Sequence, residues 1–387
     1  VYDAGQTSVP FGEFTTPIDR SIVSGSVPFT GWVLDDIGVT SVQLFREDGH
    51  SLKYIGDAVM VEGARPDVEA AYPGYPNNYK AGWGYMMLTN LLPGGEGTFS
   101  ITIHAIATDV EGHQVTLGTK TITVDNANAI KPFGTIETPA QGGAASGSGF
   151  INFGWVLTPL PNTIPGDGST IQVMVDGVPV GNPVYSQYRK DIAQLFPGYS
   201  NSDGAVGYFF LDTTAYENGV HTIQWTASDD AGNTDGIGSR YFTIQNTGGS
   251  KKQGAVHCET SRVSREQSRL FRDSIRDIPI DYSRPIKIRR GYNQNLEMET
   301  TYPDDRGIID IKIKELERLE IHLFDPGEST LNLSPLPIGS TIDVERGVFC
   351  WQPGPGYIGT YRFIFIEESA DGHLTRRNIL VTITPKF

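Results

Sequence analysis

One passage of this chain is written twice. Pro10-Phe11-Gly12, Ser24-Gly25-Ser26 and Gly31-Trp32-Val33-Leu34 return as Pro132-Phe133-Gly134, Ser146-Gly147-Ser148 and Gly154-Trp155-Val156-Leu157. Further on, Arg65-Pro66-Asp67-Val68 leads to Tyr72-Pro73-Gly74-Tyr75 and Asn77. Its echo, Arg189-Lys190-Asp191-Ile192, leads to Phe196-Pro197-Gly198-Tyr199 and Asn201. The offset stays near ~120 residues, the length of a whole domain and far above the ~20–50 residues of a solenoid unit. Each copy must therefore be a fold that buries a core of its own at that size.

The pattern inside each copy has period two. Ser41-Val42-Gln43-Leu44-Phe45, the run from Thr98 to Ile106 and Lys120-Thr121-Ile122-Thr123-Val124 alternate in the first copy. In the second, Thr170 to Val175, His221 to Ala227 and Arg240 to Ile244 do so. Gly, Asp and Asn clusters separate them, and the 45 Gly and 24 Pro have no collagen-like period. This is the pattern of an all-β sandwich. Asp176-Gly177 between two apolar runs predicts a two-residue hairpin. One short helix per copy is expected, at Asp67–Ala71 and Asp191–Leu195, with the aspartate as cap. Trp32, Trp155 and Trp351 fall in strand patterns and are expected in cores. The division expected is an N-terminal extension 1–9, repeats 10–128 and 129–246, a basic linker 247–280 and a last domain 281–387. The linker Asp125-Asn126-Ala127-Asn128 is short, so an elongated rod is expected.

Charge is unevenly placed on a chain of net charge −15. Residues 1–246 carry 10 basic and 25 acidic side chains, whereas 247–290 carry 11 and 5. The acidic bulk lacks the basic footprint that phosphate needs, which excludes nucleic acid as the main partner. No apolar run is long enough to span a membrane. Two Cys among 387 residues are too few for a disulfide scaffold. The chain begins at Val1 rather than Met, as a processed precursor or a piece of a longer protein would. Val263, Leu270, Phe271 and Ile275 lie about one helical face apart amid Arg and Ser. A basic amphipathic helix packed on a neighbouring domain, a tether, and a contact with an anionic surface all fit this segment.

Ala105-Ile106-Ala107-Thr108-Asp109-Val110-Glu111-Gly112 and Thr226-Ala227-Ser228-Asp229-Asp230-Ala231-Gly232-Asn233 each join a strand to an acidic turn before a last strand. In this the repeats resemble bacterial immunoglobulin-like domains of surface proteins and adhesins. Near the end, Leu336-Pro337-Ile338-Gly339 precedes Phe349-Cys350-Trp351-Gln352-Pro353, and Gly359-Thr360-Tyr361 opens the next strand. Residues 311–385 thereby resemble an immunoglobulin or cadherin-like family of bacterial surface proteins and dystroglycan-type modules. The resemblances imply three immunoglobulin-like β-sandwich domains, extracellular, with calcium bound in some relatives. The chain departs from that family at Glu367-Glu368-Ser369-Ala370-Asp371-Gly372, where an acidic cluster is usual.

Candidate functional residues fall into three groups. Tyr72, Tyr75, Tyr79, Trp83 and Tyr85 crowd one loop region, and Phe196, Tyr199 and Tyr208 crowd its counterpart. Exposed, they would stack on sugar rings or anchor a protein interface; folded back, they form satellite cores, which is the simpler expectation. Asp109 with Glu111, and Asp229 with Asp230, are the calcium candidates, although Asp and Gly also simply make turns. Cys258 and Cys350 would pair in an oxidising compartment, but alternation beside Trp351 equally fits a buried thiol. No Gly-x-Ser-x-Gly elbow and no Cys-x-x-Cys is present, and the seven His are dispersed. The function expected is that of a non-enzymatic structural or adhesion protein of a bacterial surface or appendage. Its expected partners are other surface proteins or itself. The alternatives are a carbohydrate-binding accessory region of a polysaccharide-active enzyme, and a filament subunit with residues 1–10 as donated strand.

Overall fold

The computed structural model describes residues 8–247, 256–257, 275, 277–324, 329–332, 336–369 and 371–387. Each repeat is a sandwich of two sheets. In the first, Phe11–Thr16, Ser26–Leu34, Gly82–Leu88 and Val59–Val61 make one sheet in that order. Ile22–Val23, Gln114–Asp125, Thr98–Asp109, Val39–Asp48 and Ser51–Asp57 make the other. The chain changes sheet early. Phe11–Thr16 runs antiparallel to Ser26–Leu34, and Ile22–Val23 runs parallel to Gln114–Asp125. Pro17 stands at the break, where a residue with no N–H cannot extend the ladder. The second repeat reproduces this with Phe133–Thr138 on Phe150–Leu157, and Gly143–Ala145 parallel to Thr234–Ile244. This is the immunoglobulin-like arrangement. The alternating positions close separate cores around Phe14, Phe29 and Trp83 in one repeat and Ile171, Ile223 and Trp225 in the other.

The third domain is built the same way. Ser340–Asp343, Val348–Trp351, Leu319–His322 and Ile286–Arg290 form one sheet, with Val256–His257 and Glu299–Thr301 at its edges. Ile308–Lys314 lies parallel to Leu374–Thr384, which pairs with Gly359–Glu368. The helix expected over Val263, Leu270 and Phe271 lies outside the described residues.

The rod expected from the short linker is not formed. The third domain folds back against both repeats, and Val61, Ala64 and Tyr241 of the repeats share one core cluster with Trp351, Tyr357 and Tyr361. The reason is the segment Trp351-Gln352-Pro353-Gly354-Pro355-Gly356-Tyr357, which wedges between them. Tyr357 donates to the carbonyl of Glu62 at 3.0 Å, Tyr361 to that of Ala64, and Tyr241 to that of Pro355 at 2.9 Å. Main chains touch here: a Cβ on Gly84 would stand 2.2 Å from the Pro355 oxygen. Helices do form in the inserts, over Pro66–Ala71 and Lys190–Leu195, but the aspartates do not cap them. Asp67 and Asp191 sit in the first turn and pair with Arg65 and Arg189, each at 2.7 Å.

Candidate functional site at the three-domain junction

Where the domains meet they leave a cleft of about 610 Å³. Repeat 1 contributes Ser24 and Asn90, the linker Asn128, Ile130 and Lys131, repeat 2 Tyr199 and Asp235, and the third domain Tyr292, Asn293, Leu296, Glu315 and Lys386. Lys386 ties all three together: its Nζ donates to the Ser26 carbonyl at 3.3 Å and lies 3.4 Å from the Asp235 carboxylate. Glu315 is buried behind it, with the Thr16 hydroxyl 3.4 Å from its Oε1. Burial pushes the Glu315 carboxyl up to about 8, against the opposing effect of the Thr30 and Thr16 hydroxyls and Lys386. Glu315 is therefore a neutral hydrogen-bonding group at neutral pH. Asn90 lies in the same wall, and its buried Oδ1 has no hydrogen-bond partner among the described residues. The lining mixes rings, amides, lysines and carboxylates, and among the described residues holds no His or Cys. Its chemistry suits holding a polar ligand.

The aromatics singled out from sequence separate into different places. Tyr72 and Tyr75 pack edge-on to Phe11, at 5.4 and 5.2 Å between centroids, and Tyr72 stacks on Trp32. Phe196 and Tyr199 do the same with Phe133, at 5.5 Å each. Both inserts thus fold back over the outer face of their own sheet. Phe196 is buried, and so is Trp83, which faces the main core of repeat 1; neither can serve as a surface contact. Tyr85 is half-buried with its ring against Gly56. Tyr79 is exposed. Tyr208 lies on the open face of the second repeat beside Phe210, 5.6 Å away and steeply inclined, so the two rings are not a coplanar row. Trp32, expected in a core, is a half-buried member of the satellite cluster.

Two of the calcium candidates, Asp229 and Asp109, already hold hydrogen bonds from protein donors at both carboxylate oxygens. Asp229 Oδ1 accepts the amides of Ala231 and Asn233, and its Oδ2 accepts from Thr158, Asn162 and Asn233. A carboxylate so surrounded by donors has no lone pair to offer a cation. Asp230 accepts the amide of Thr163. Asp109, Glu111 and His113 bring ligand atoms within 4.8 Å of one another, but Asp109 already takes the amide and the ring Nδ1 of His113, at 2.9 and 2.8 Å. What the copies share is a tie from an aspartate to the residue four ahead, which closes the turn. Cys350 is a buried thiol whose sulfur lies 3.4 Å from the Arg318 guanidinium; burial pushes it up to about 11, against the opposing pull of Arg318. Cys258 lies outside the described residues.

Apart from Tyr199, the residues of the cleft were missed by sequence reading. Glu315, Asp235 and Lys386 are far apart in the chain and ordinary in type. The one local signal was Gly-Pro-Gly-Tyr at 354–357, which brings the domains together.

No protein-family model matches the chain, and no curated protein matches it in sequence. Among solved structures it is similar to fibronectin(III)-like modules of Clostridium thermocellum CbhA: 13% identity, 61% of this chain and 94% of that one, TM-score 0.19. It is also similar to latent PorU from Porphyromonas gingivalis, at 14% identity over 97% of this chain and 34% of that one, TM-score 0.20. A third is SGBP-B of the Bacteroides ovatus mixed-linkage glucan utilization locus, in complex with a mixed-linkage heptasaccharide, at 10% identity, 98% and 71% coverage and TM-score 0.20. The immunoglobulin-like fold of this chain rests on its own strand order. Among the described residues no helix is long and apolar enough to cross a membrane.

Proposed function

We propose that this chain is a non-enzymatic structural or adhesion unit of a bacterial cell surface or appendage, working outside the cell through protein contacts. One observation supports it above others: the distinctive segments of the sequence serve to hold three sandwiches in fixed relation. The inserts seal their own sheets, and loop 351–357 locks both repeats to the third domain. Antibody labelling of intact and permeabilised cells tests the placement. Labelling of intact cells is expected; signal only after permeabilisation would sink the reading.

The cleft favours a second reading, in which the chain holds a sugar-sized ligand such as the end of a polysaccharide. Its volume lies inside the range of about 300–1,000 Å³ usual for ligand pockets. Calorimetric titration with neutral and acidic oligosaccharides, compared in wild type and Tyr292→Ala, checks it. Strand donation has less in its favour: the first strand of each repeat is already paired within its own sheet. Residues 1–7 of the supposed donor lie outside the described residues.

A further inference from the structure

The two repeats present the same sheet face to different surroundings. Registers Val59↔Gly84 and Val184↔Tyr208, with Thr30↔Gly84 and Phe153↔Tyr208, fix the equivalence position by position. In repeat 1 the outward residues are Pro28, Thr30, Val59, Gly84 and Met86. In repeat 2 they are Ile151, Phe153, Val184, Tyr208 and Phe210.

In repeat 1 this face is an interface already. Gly84 meets the main chain of Pro355, Val59 packs against the third-domain cluster, and Thr30 and Met86 are buried. In repeat 2 no other domain covers it among the described residues: Ile151 is 49%, Val184 50% and Phe210 60% exposed. Yet its residues are the larger ones, with Phe for Thr, Tyr for Gly and Ile for Pro. A solvated face of an antiparallel sheet ordinarily alternates to polar residues. Five apolar outward positions with no charge among them mark a contact surface.

We infer that this face of the second repeat is a self-association surface, on which a second copy of the chain packs the same face about a two-fold axis. Three observations select that occupant. The strip is continuous with an interface inside the chain, because Phe153 adjoins the cluster of Phe133, Trp155 and Phe196 that takes Leu88 of repeat 1. The equivalent face of repeat 1 is covered by immunoglobulin-like domains, so its shape suits a sandwich. Finally, the five positions carry no charge of their own, and the Arg189 guanidinium over the Phe153 ring is paired with Glu137 and Asp191; on a chain of net charge −15 such a strip calls for an apolar partner face, and an isologous pair supplies one. The five residues expose on the order of 400 Å² per copy, below what a permanent interface buries, which makes the dimer weak and transient.

The inference rests on the reading that the chain works through protein contacts, but it fails separately, since cell labelling tests that reading and association tests this one. Sedimentation velocity of the full chain, from low-micromolar to submillimolar concentration, should show mass rising from monomer toward dimer. Added salt should strengthen association by screening two acidic chains from each other. Phe210→Asp should abolish it with the thermal midpoint unchanged, because the side chain is mostly exposed. Tyr282→Asp, at an equally exposed site of the third domain, should leave it intact. Hydrogen exchange should slow with concentration in Phe150–Leu157 and Val206–Leu211. A wild type that stays monomeric, equal loss in both variants, weakening by salt, or protection confined to other strands would each overturn the inference.

Discussion

At the scale of single residues, burial and not chemistry sets the behaviour of the unusual groups. Glu315 is the clearest. Its carboxyl titrates near 8 in the fold against an ordinary 4.5, so the folded state holds the proton more tightly than the unfolded chain does. Stability contributed at this site is therefore highest below about pH 4.5, falls as pH rises through that interval, and levels off above about pH 8. Glu315→Gln keeps the shape and cannot ionise. It should leave stability nearly unchanged near pH 4 and raise it by roughly 4–5 kcal/mol near pH 8.5, read by urea denaturation at both values. An equal effect at the two pH values would show that ionisation is not involved. Trp83 teaches a related lesson. It sits in Gly82-Trp83-Gly84-Tyr85, where glycines occupy the outward positions. That parity is legible in the sequence, because glycine at every second position leaves Trp83 and Tyr85 on the opposite face.

At the scale of elements, the strands and the Asp-Gly hairpin were readable because local chemistry decides them. Asp176 and Gly177 both have positive φ, 48° and 76°, as the two-residue turn between Ile171–Val175 and Val178–Gly181 requires. The destination of that turn was not readable. The turn docks on the third domain, where Arg318 donates to the Gly177 carbonyl at 2.6 Å and Thr341 to that of Asp176 at 3.2 Å. Behind it, His221 Nδ1 lies 2.6 Å from the Asp176 carboxylate. A Cβ on Gly177 would meet the main chain of Trp351 and Gln352 at 3.1 Å. Gly177→Ala therefore adds a left-handed conformational penalty to a crowded interface. A loss of about 1–2 kcal/mol is expected, measured by thermal denaturation. Gly49, also in a turn and at φ 63° but with nothing within 4 Å, provides the comparison: Gly49→Ala carries the conformational cost alone and should lose less. Equal losses would mean that docking of the turn adds nothing.

At the scale of the whole molecule, the sequence shows the copied domains but hides their mutual packing. Repeats, strand parity and turns are written in neighbouring residues. The junction is assembled from Ala64, Gly84, Tyr241, Pro355 and Tyr361, which no local pattern connects. The absence of a side chain at Gly84 is what lets the third domain close on repeat 1. The second repeat shows what that position tolerates otherwise, since Tyr208 stands there in an equally regular sheet. Gly84→Val should therefore suit the strand itself, because a β-branched residue is favoured on a pleated surface. It should instead place side-chain atoms where the Pro355 oxygen lies, 2.2 Å from the new Cβ. Repeat 1 should stay folded while the third domain loses its seat. Small-angle scattering should then report a larger radius of gyration, and calorimetry should split a cooperative transition into separate ones. An unchanged radius with a single transition would mean that the three sandwiches are held together without this contact.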